Sequence, residues 1–189
     1  MSQAAAKNTQ SSKFSVREIC YTGLFAAVIA VMAQISIPMP LGVPMTMQTF
    51  AITLAAVVLG SKLSAMASLV YLILGAVGVP VLASFSGGID KFVGPTGGFL
   101  ISFPLMAYII GLGVEHRKAF KGAFPLAVVV GTVVNYIVGV ILFVIVAHST
   151  VAVAISACVL PFIPTAIIKA VLACAIGLNI RKRIPGLKA

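Results

Sequence analysis

One lysine lies in the middle of an apolar segment that contains no acidic residue. Lys169 falls within CVLPFIPTAIIKAVLACAIG, residues 158–177, which has the composition of a membrane helix. A charge inside a membrane is costly and marks a functional site by default. Its ammonium group has three donors and no acceptor, so it needs an oxygen beside it. We expect Lys169 to bind a small carboxylate-bearing or carbonyl-rich molecule, to meet Asp90 folding down from an outer loop, or to be purely structural.

The residue combinations that perform catalysis are absent from this sequence. LGSKLS, residues 59–64, lacks the leading glycine and the spacing of a phosphate-binding GxxxxGK[ST] loop. No HExxH motif or Ser/His/Asp set occurs, and the cysteines and histidines lack metal-ligand spacing. The sequence therefore predicts no catalytic residue, no metal, no cofactor and no enzyme. Any energy for uphill transport has to come from a partner.

Composition restricts the class of protein. Of the 189 residues, 61% are hydrophobic and 8% are charged. A soluble domain of this size cannot bury so much apolar surface, so we expect an integral membrane protein. The net charge of +10 comes from basic residues between apolar segments, which favours topology and lipid headgroups over nucleic acid as its cause.

The predicted fold class is all-α, with a single six-helix membrane domain over 15–189 after a mobile polar segment, 1–14. The predicted spans are 16–37, 45–60, 63–80, 98–114, 123–147 and 153–180. All but two of the 13 basic residues then fall on one side. By the positive-inside rule both termini are predicted to be cytoplasmic. The expected location is the cell membrane, as a multi-pass protein of the bacterial plasma membrane.

Two segments on the predicted outer side cannot stay helical. Residues 36–49 carry three prolines, and residues 75–99 carry seven glycines and two prolines. In lipid, their free backbone groups would lack hydrogen-bond partners. We expect loops over 36–49 and 80–97 to cap a ligand.

The polar side chains inside the spans lie at similar depths. At 1.5 Å per residue, Lys169 and Asn135 lie about 18 and 21 Å from the nearest basic residues on the cytoplasmic side. Gln34 and Gln48 also fall in the outer half of the membrane. This predicts a cavity roofed by the outer loops. For Gln34 and Asn135 the alternative is hydrogen bonding between helices, and for Gln48 it is a helix cap.

The first span carries small residues at helical spacing. Ala26 and Ala30 form one pair, and Gly23 and Ala27 form another on an adjacent face. Small residues let helices approach closely in lipid. Internal packing is the default interpretation, and docking against a second membrane protein is the alternative.

Four motifs in order resemble a known family. They are VPMTMQTF at 43–50, YLILGAVGVPVLASFSGG at 71–88, VGPTGGFLISF at 93–103 and PFIPTAIIKA at 161–170. The chain resembles the biotin-type substrate-binding (S) component of energy-coupling factor (ECF) transporters, the BioY family. The resemblance covers nearly the whole chain.

The resemblance implies a six-helix fold that binds biotin from outside with high affinity. It implies docking on a transmembrane coupling (T) subunit that carries two ABC-type ATPases, through Ala26 and Ala30, and places Lys169 in the biotin site. An acid is expected three residues before this lysine, but Ala166 stands there. The further expected ligand-binding residues are Asn135, Gln48, Thr96, Gly97, Gly98, Phe85, Tyr136, Thr165 and Asp90.

Other functions stay open at this point. An S component for another vitamin, such as riboflavin or thiamine, has the same architecture. A self-sufficient secondary transporter of a small organic anion is disfavoured, because no acid lies within a span. A membrane-embedded enzyme lacks an acid/base or nucleophilic pair.

Overall fold

The computed structural model describes residues 15–39, 42–117 and 122–184. Within these ranges the chain forms eight α-helices and a two-stranded antiparallel sheet. The helices are α1 (Val16–Ala33), α2 (Gln48–Leu59), α3 (Ser61–Ala76), α4 (Asp90–Val93), α5 (Gly97–Glu115), α6 (Ala123–Val146), α7 (Val151–Cys158) and α8 (Ile163–Arg183). The N-terminal segment 1–14 lies outside the described residues, so its mobility stays a prediction.

Four helical stretches are long and apolar enough to cross a membrane. They are Val16–Ala33, Gly97–Glu115, Ala123–Val146 and Val151–Arg183. Helices α2 and α3 are apolar but shorter. The prediction of an all-α, multi-pass membrane protein is therefore confirmed at this level.

The sixth predicted span, 153–180, is two helices and not one. A short 3-10 turn, Leu160–Phe162, separates α7 from α8. Pro161 lies in this turn and Pro164 lies in the first turn of α8. Proline lacks the N–H that a continuous helix needs, but the first turn of a helix tolerates it. The break places the start of α8 where its side chains can reach the ligand cavity described below.

Helix α2 runs through the centre of the protein. Every residue from Phe50 to Gly60 is buried, and Ile52 and Val57 have no exposed surface. A helix that is hydrophobic on all sides requires such an environment, which α1, α3, α5 and α8 provide by packing around it. Its 12 residues span about 18 Å, so α2 does not itself cross a membrane core of about 30 Å.

A charged side chain holds the junction between α2 and α3. Gly60 connects the two helices at φ +85°, a left-handed conformation that glycine adopts without steric cost. The Glu115 carboxylate at the end of α5 accepts a hydrogen bond from the Ser61 backbone N–H at 2.7 Å and others from the Ser61 hydroxyl. It therefore caps the N-terminus of α3, where a negative charge is favourable.

Arg181 stabilises the other side of this junction. Its guanidinium donates to the backbone oxygens of Val57 and Val58 at 3.1 and 3.0 Å. These are among the carbonyls that the end of a helix leaves without partners. Sequence reasoning assigned Arg181 to the cytoplasmic flank, but its side chain is buried in the protein.

The two segments that are predicted to lie on the outer side contain a short hairpin and a long-range contact. Strands β1 (Ser36–Ile37) and β2 (Met45–Thr46) pair antiparallel. The Gln34 side chain donates to the Val81 oxygen at 3.1 Å and accepts from the Phe85 N–H at 2.8 Å. Gln34 thus fastens the second outer segment to the end of α1.

The small residues of α1 face two directions. Ala26 is 3% exposed and belongs to the hydrophobic core, and Ala30 is partly buried against the same core. Gly23 and Ala27 are exposed. The burial of Ala26 favours internal packing for this residue, and a contact of Ala26 and Ala30 with a second subunit stays a prediction.

Candidate ligand-binding site

A cavity lies between α5, α6, α8 and the segment that leads into α2. The break before α8 and the β1–β2 hairpin bring these four elements together. The residues that contribute hydroxyl, amide or amine groups to its lining are Thr46, Thr49, Thr96, Asn135, Tyr136, Thr165 and Lys169.

Lys169 binds a backbone oxygen in this cavity. Its Nζ donates to the Thr46 carbonyl at 2.6 Å, which spans from α8 to strand β2. Asp90 instead forms an ion pair with Lys91 at 3.4 Å, so the proposed pairing of Asp90 with Lys169 is wrong. The ammonium retains two further donors for a ligand.

All three acidic residues of the chain are engaged elsewhere. Glu18 accepts from the Ser15 N–H at 2.8 Å, Glu115 caps α3, and Asp90 pairs with Lys91. Within the described residues, Lys169 therefore forms no ion pair with a carboxylate. An oxygen supplied by a ligand has no protein carboxylate to displace.

Asn135 presents an acceptor to the cavity. Its amide nitrogen donates to the Ser102 hydroxyl at 2.7 Å and to the Phe99 backbone oxygen at 3.1 Å. Both donors are thereby used in joining α6 to α5, and within the described residues its Oδ1 has no partner. Asn135 thus provides both the predicted interhelical bond and a free acceptor beside Lys169.

Aromatic rings form the apolar part of the lining. Phe99 and Tyr136 pack edge to face, with ring centroids 6.5 Å apart and an interplanar angle of 81°. Phe103 and Phe162 complete this wall. Rings at this spacing suit a flat or folded apolar body, and the polar groups fix its orientation.

Some of the predicted site residues line the cavity, and the others lie outside it. The cavity includes Lys169, Asn135, Thr96, Tyr136 and Thr165.

Gln48 is buried beside this cavity, where its amide donates to the Tyr71 hydroxyl and its oxygen accepts from the Thr46 hydroxyl at 2.9 Å. It lines an adjoining pocket under the outer segments. Phe85 is 71% exposed, and neither Phe85 nor Asp90 lines the cavity.

Gly97 and Gly98 have a packing role in this structure. A side chain on Gly97 would collide with the Phe92 backbone oxygen, and one on Gly98 would lie 2.5 Å from the Val138 oxygen. They allow α4 and α6 to approach the start of α5 and do not line the cavity. Their expected role as close-approach backbone for the ligand differs from this placement.

Several lining residues escaped sequence reasoning. Thr46 contributes a backbone oxygen, which has no signature in the side-chain sequence. Phe103 lies one helical turn after Phe99 on α5. Phe162 lies directly before α8, three residues before Thr165. The i, i+4 spacing of Phe99 and Phe103 places both rings on one face of α5.

A family model described as the BioY family matches residues 6–186. The chain belongs to the BioY family. The match extends over all the described helices and therefore over every element that forms the cavity.

Relatives and a solved structure agree with this assignment to BioY. The chain is 42% identical over 168 residues to the biotin transporter BioY of Thermotoga maritima, covering 88% of this chain and 97% of the relative. It is 34% identical over 187 residues to biotin transporter BioY of Rhizobium etli, covering 93% and 98%. A crystal structure of the S-component for biotin from an ECF-type ABC transporter superposes with a TM-score of 0.80 at 27% identity, covering 89% and 93%.

Proposed function

We propose that this chain is the biotin-binding membrane subunit of a vitamin importer. The observation that carries the proposal is the cavity in which Lys169 and Asn135 lie among aromatic side chains, in a chain of the BioY family. Relatives named as biotin transporters and the biotin S-component structure support biotin as the ligand.

The cavity matches the chemistry of biotin. The ureido ring of biotin has two N–H donors and one carbonyl acceptor, which complement the free Oδ1 of Asn135 and the ammonium of Lys169. The thiophane ring suits the Phe99 and Tyr136 wall. Lys169 and Asn135 thus bracket one polar end of the ligand, as both line the same cavity.

The protein is expected to bind biotin and not another vitamin. Purified protein should bind biotin when titrated by calorimetry, and mass spectrometry should detect biotin among co-purifying small molecules. Tight riboflavin or thiamine in place of biotin contradicts the proposed ligand and favours an S component for another vitamin.

Six membrane spans with both termini in the cytoplasm complete the proposed architecture. The four long stretches and the shorter helices α2 and α3 supply them. Helix α2 covers only part of the membrane thickness and lies buried among the other helices. The outer segments then lie over the cavity on the extracellular side of the cell membrane. Single cysteines at either end of α5, in an otherwise cysteine-free protein, should react with impermeant maleimide from opposite sides.

Delivery of biotin into the cell depends on partners in this proposal. A T subunit and two ABC-type ATPases supply the energy, because the sequence has no GxxxxGK[ST] loop. The exposed Gly23 and Ala27 face of α1 is the proposed contact with the T subunit.

The substitution Ala27→Trp tests this contact. A large side chain on the exposed face should leave biotin affinity within twofold and reduce uptake at least tenfold when the coupling subunits are present. Val31→Trp, on the same helix and also exposed, shows how far the contact extends. Unimpaired uptake by Ala27→Trp contradicts the proposed face.

A further inference from the structure

An apolar groove separates α6 from α8 on the outside of the ligand cavity. Its sides include Val129 and Val133 of α6 and Ile163 and Ile167 of α8. Helix α6 packs along α5 and α8 packs along α2, whereas α6 and α8 make few contacts with each other. Helix α7 bridges them at one end only, so the groove is a real gap between two helices.

The floor of the groove is also the wall of the ligand cavity. Tyr136 and Ala166 line both spaces. Thr132 and Ala170 line the groove and a small polar extension of the cavity that also contains Lys169. A single layer of side chains, half of it alanine, therefore separates the polar cavity from the protein exterior.

The groove has few polar side chains, and the Thr132 hydroxyl is hydrogen-bonded to its own helix. The Thr132 hydroxyl donates to the Val128 backbone oxygen at 2.8 Å, which leaves its methyl group for the groove. Apart from Thr132 and Tyr136, every lining residue is aliphatic. The groove thus offers dispersion contacts and almost no hydrogen bonds.

We propose that an acyl chain of a membrane lipid occupies this groove and completes the lateral wall of the ligand cavity. Both helices belong to stretches that are long and apolar enough to cross a membrane, so hydrocarbon is the surrounding solvent. A chain needs no hydrogen-bond partner, and in the groove it covers Ala166 and Ala170 from outside. It excludes water from the layer behind which Lys169 and Asn135 act, which strengthens their interactions with a ligand.

Photolabelling tests the occupancy independently of any ligand. Full-length protein in vesicles of phosphatidylcholine with a diazirine on one acyl chain is irradiated, and labelled residues are mapped by mass spectrometry. Tyr136 and Ala170, which are only partly exposed, should be labelled at yields within threefold of Ile141, which is 55% exposed on α6. Label confined to residues such as Ile141 overturns the proposal and leaves the groove to a protein partner.

A matched pair of variants tests the wall, and this arm rests on the proposed binding of biotin. Val133→Asn puts an amide in the groove, whereas Val130→Asn puts one on an exposed part of α6 outside the groove. Val133→Asn should reduce floor labelling and weaken biotin binding at least fivefold, while Val130→Asn should change neither by more than twofold. Equal effects of the two variants overturn the proposal that lipid completes the cavity wall. A wild-type protein that binds no biotin contradicts the proposed function, and the labelling result still decides whether lipid occupies the groove.

Discussion

Two cations of helix α8 donate to backbone oxygens, one in the segment just before helix α2 and one at the C-terminal end of α2, but the two contacts lie in different surroundings. At one end Lys169 donates to Thr46, and at the other Arg181 donates to Val57 and Val58. Lys169 lines a cavity, whereas Arg181 is 6% exposed. The first contact is open to a competing oxygen and the second is closed.

The backbone dipole of α2 widens the difference between the two cations. A helix carries the equivalent of about +0.5 charge at its N-terminus and about −0.5 at its C-terminus. Arg181 lies at the C-terminal end and is favoured, while Lys169 lies beside the N-terminal end and is opposed. A ligand oxygen at Lys169 gains from both positive charges, so the same chemistry forms a permanent clamp at one end and an exchangeable one at the other.

The substitution with the largest expected effect is Arg181→Ala. It leaves the Val57 and Val58 oxygens buried without donors, at a cost of about 3 kcal/mol in the free energy of unfolding. Unfolding in mixed micelles measures the loss, and Lys182→Ala, an exposed neighbour on α8, serves as the control. A stability equal to that of the control shows that Arg181 does not clamp α2.

At the exchangeable end, Lys169→Ala should affect binding more than stability. Loss of the ammonium is expected to weaken biotin binding at least tenfold, about 1.4 kcal/mol, with less than 1 kcal/mol lost in the free energy of unfolding. Calorimetry and micelle unfolding on the same preparation measure both. A variant that loses stability and keeps its affinity makes Lys169 a structural residue and removes the contrast with Arg181.

The smallest expected effect is that of Glu115→Gln, which tests whether the junction between α2 and α3 acts on stability alone. The amide keeps one acceptor for Ser61 but removes the charge that favours the α3 N-terminus, at a cost of about 1 kcal/mol in stability. Biotin affinity should stay within twofold, because Glu115 does not line the cavity. A larger change in biotin affinity than in stability contradicts the conclusion that this junction is independent of the ligand cavity.

The helices and part of the site could be predicted from the sequence, because hydropathy and rare polar residues within apolar segments are local signals. Apolar length located α5 and α6 to within one residue at each end. Lys169 and Asn135 stood out because polar side chains inside such segments are expensive. Their grouping followed from depth alone, since helices of known direction place residues at predictable heights.

The features that the sequence did not reveal depend on contacts between distant segments. The partner of Lys169 is a backbone oxygen far away in the chain, and any residue at 46 has one. Arg181 stands in a basic run that reads as a headgroup-facing flank, and only tertiary packing distinguishes it from Lys182. Ala26 and Ala27 are identical in type, so the face that each presents is decided by how α1 packs.

The enclosure of α2 has a consequence for how the protein is made. Helix α2 emerges from the ribosome well before α8, yet α8 provides one of the helices that cover it. Helix α8 also provides the cations that bind Thr46, before α2, and Val57, near its end. Until α8 has been inserted, the backbone oxygens of Thr46, Val57 and Val58 therefore lack these donors. The ligand site, whose lining includes Lys169 of α8, therefore forms only after α8 has been inserted.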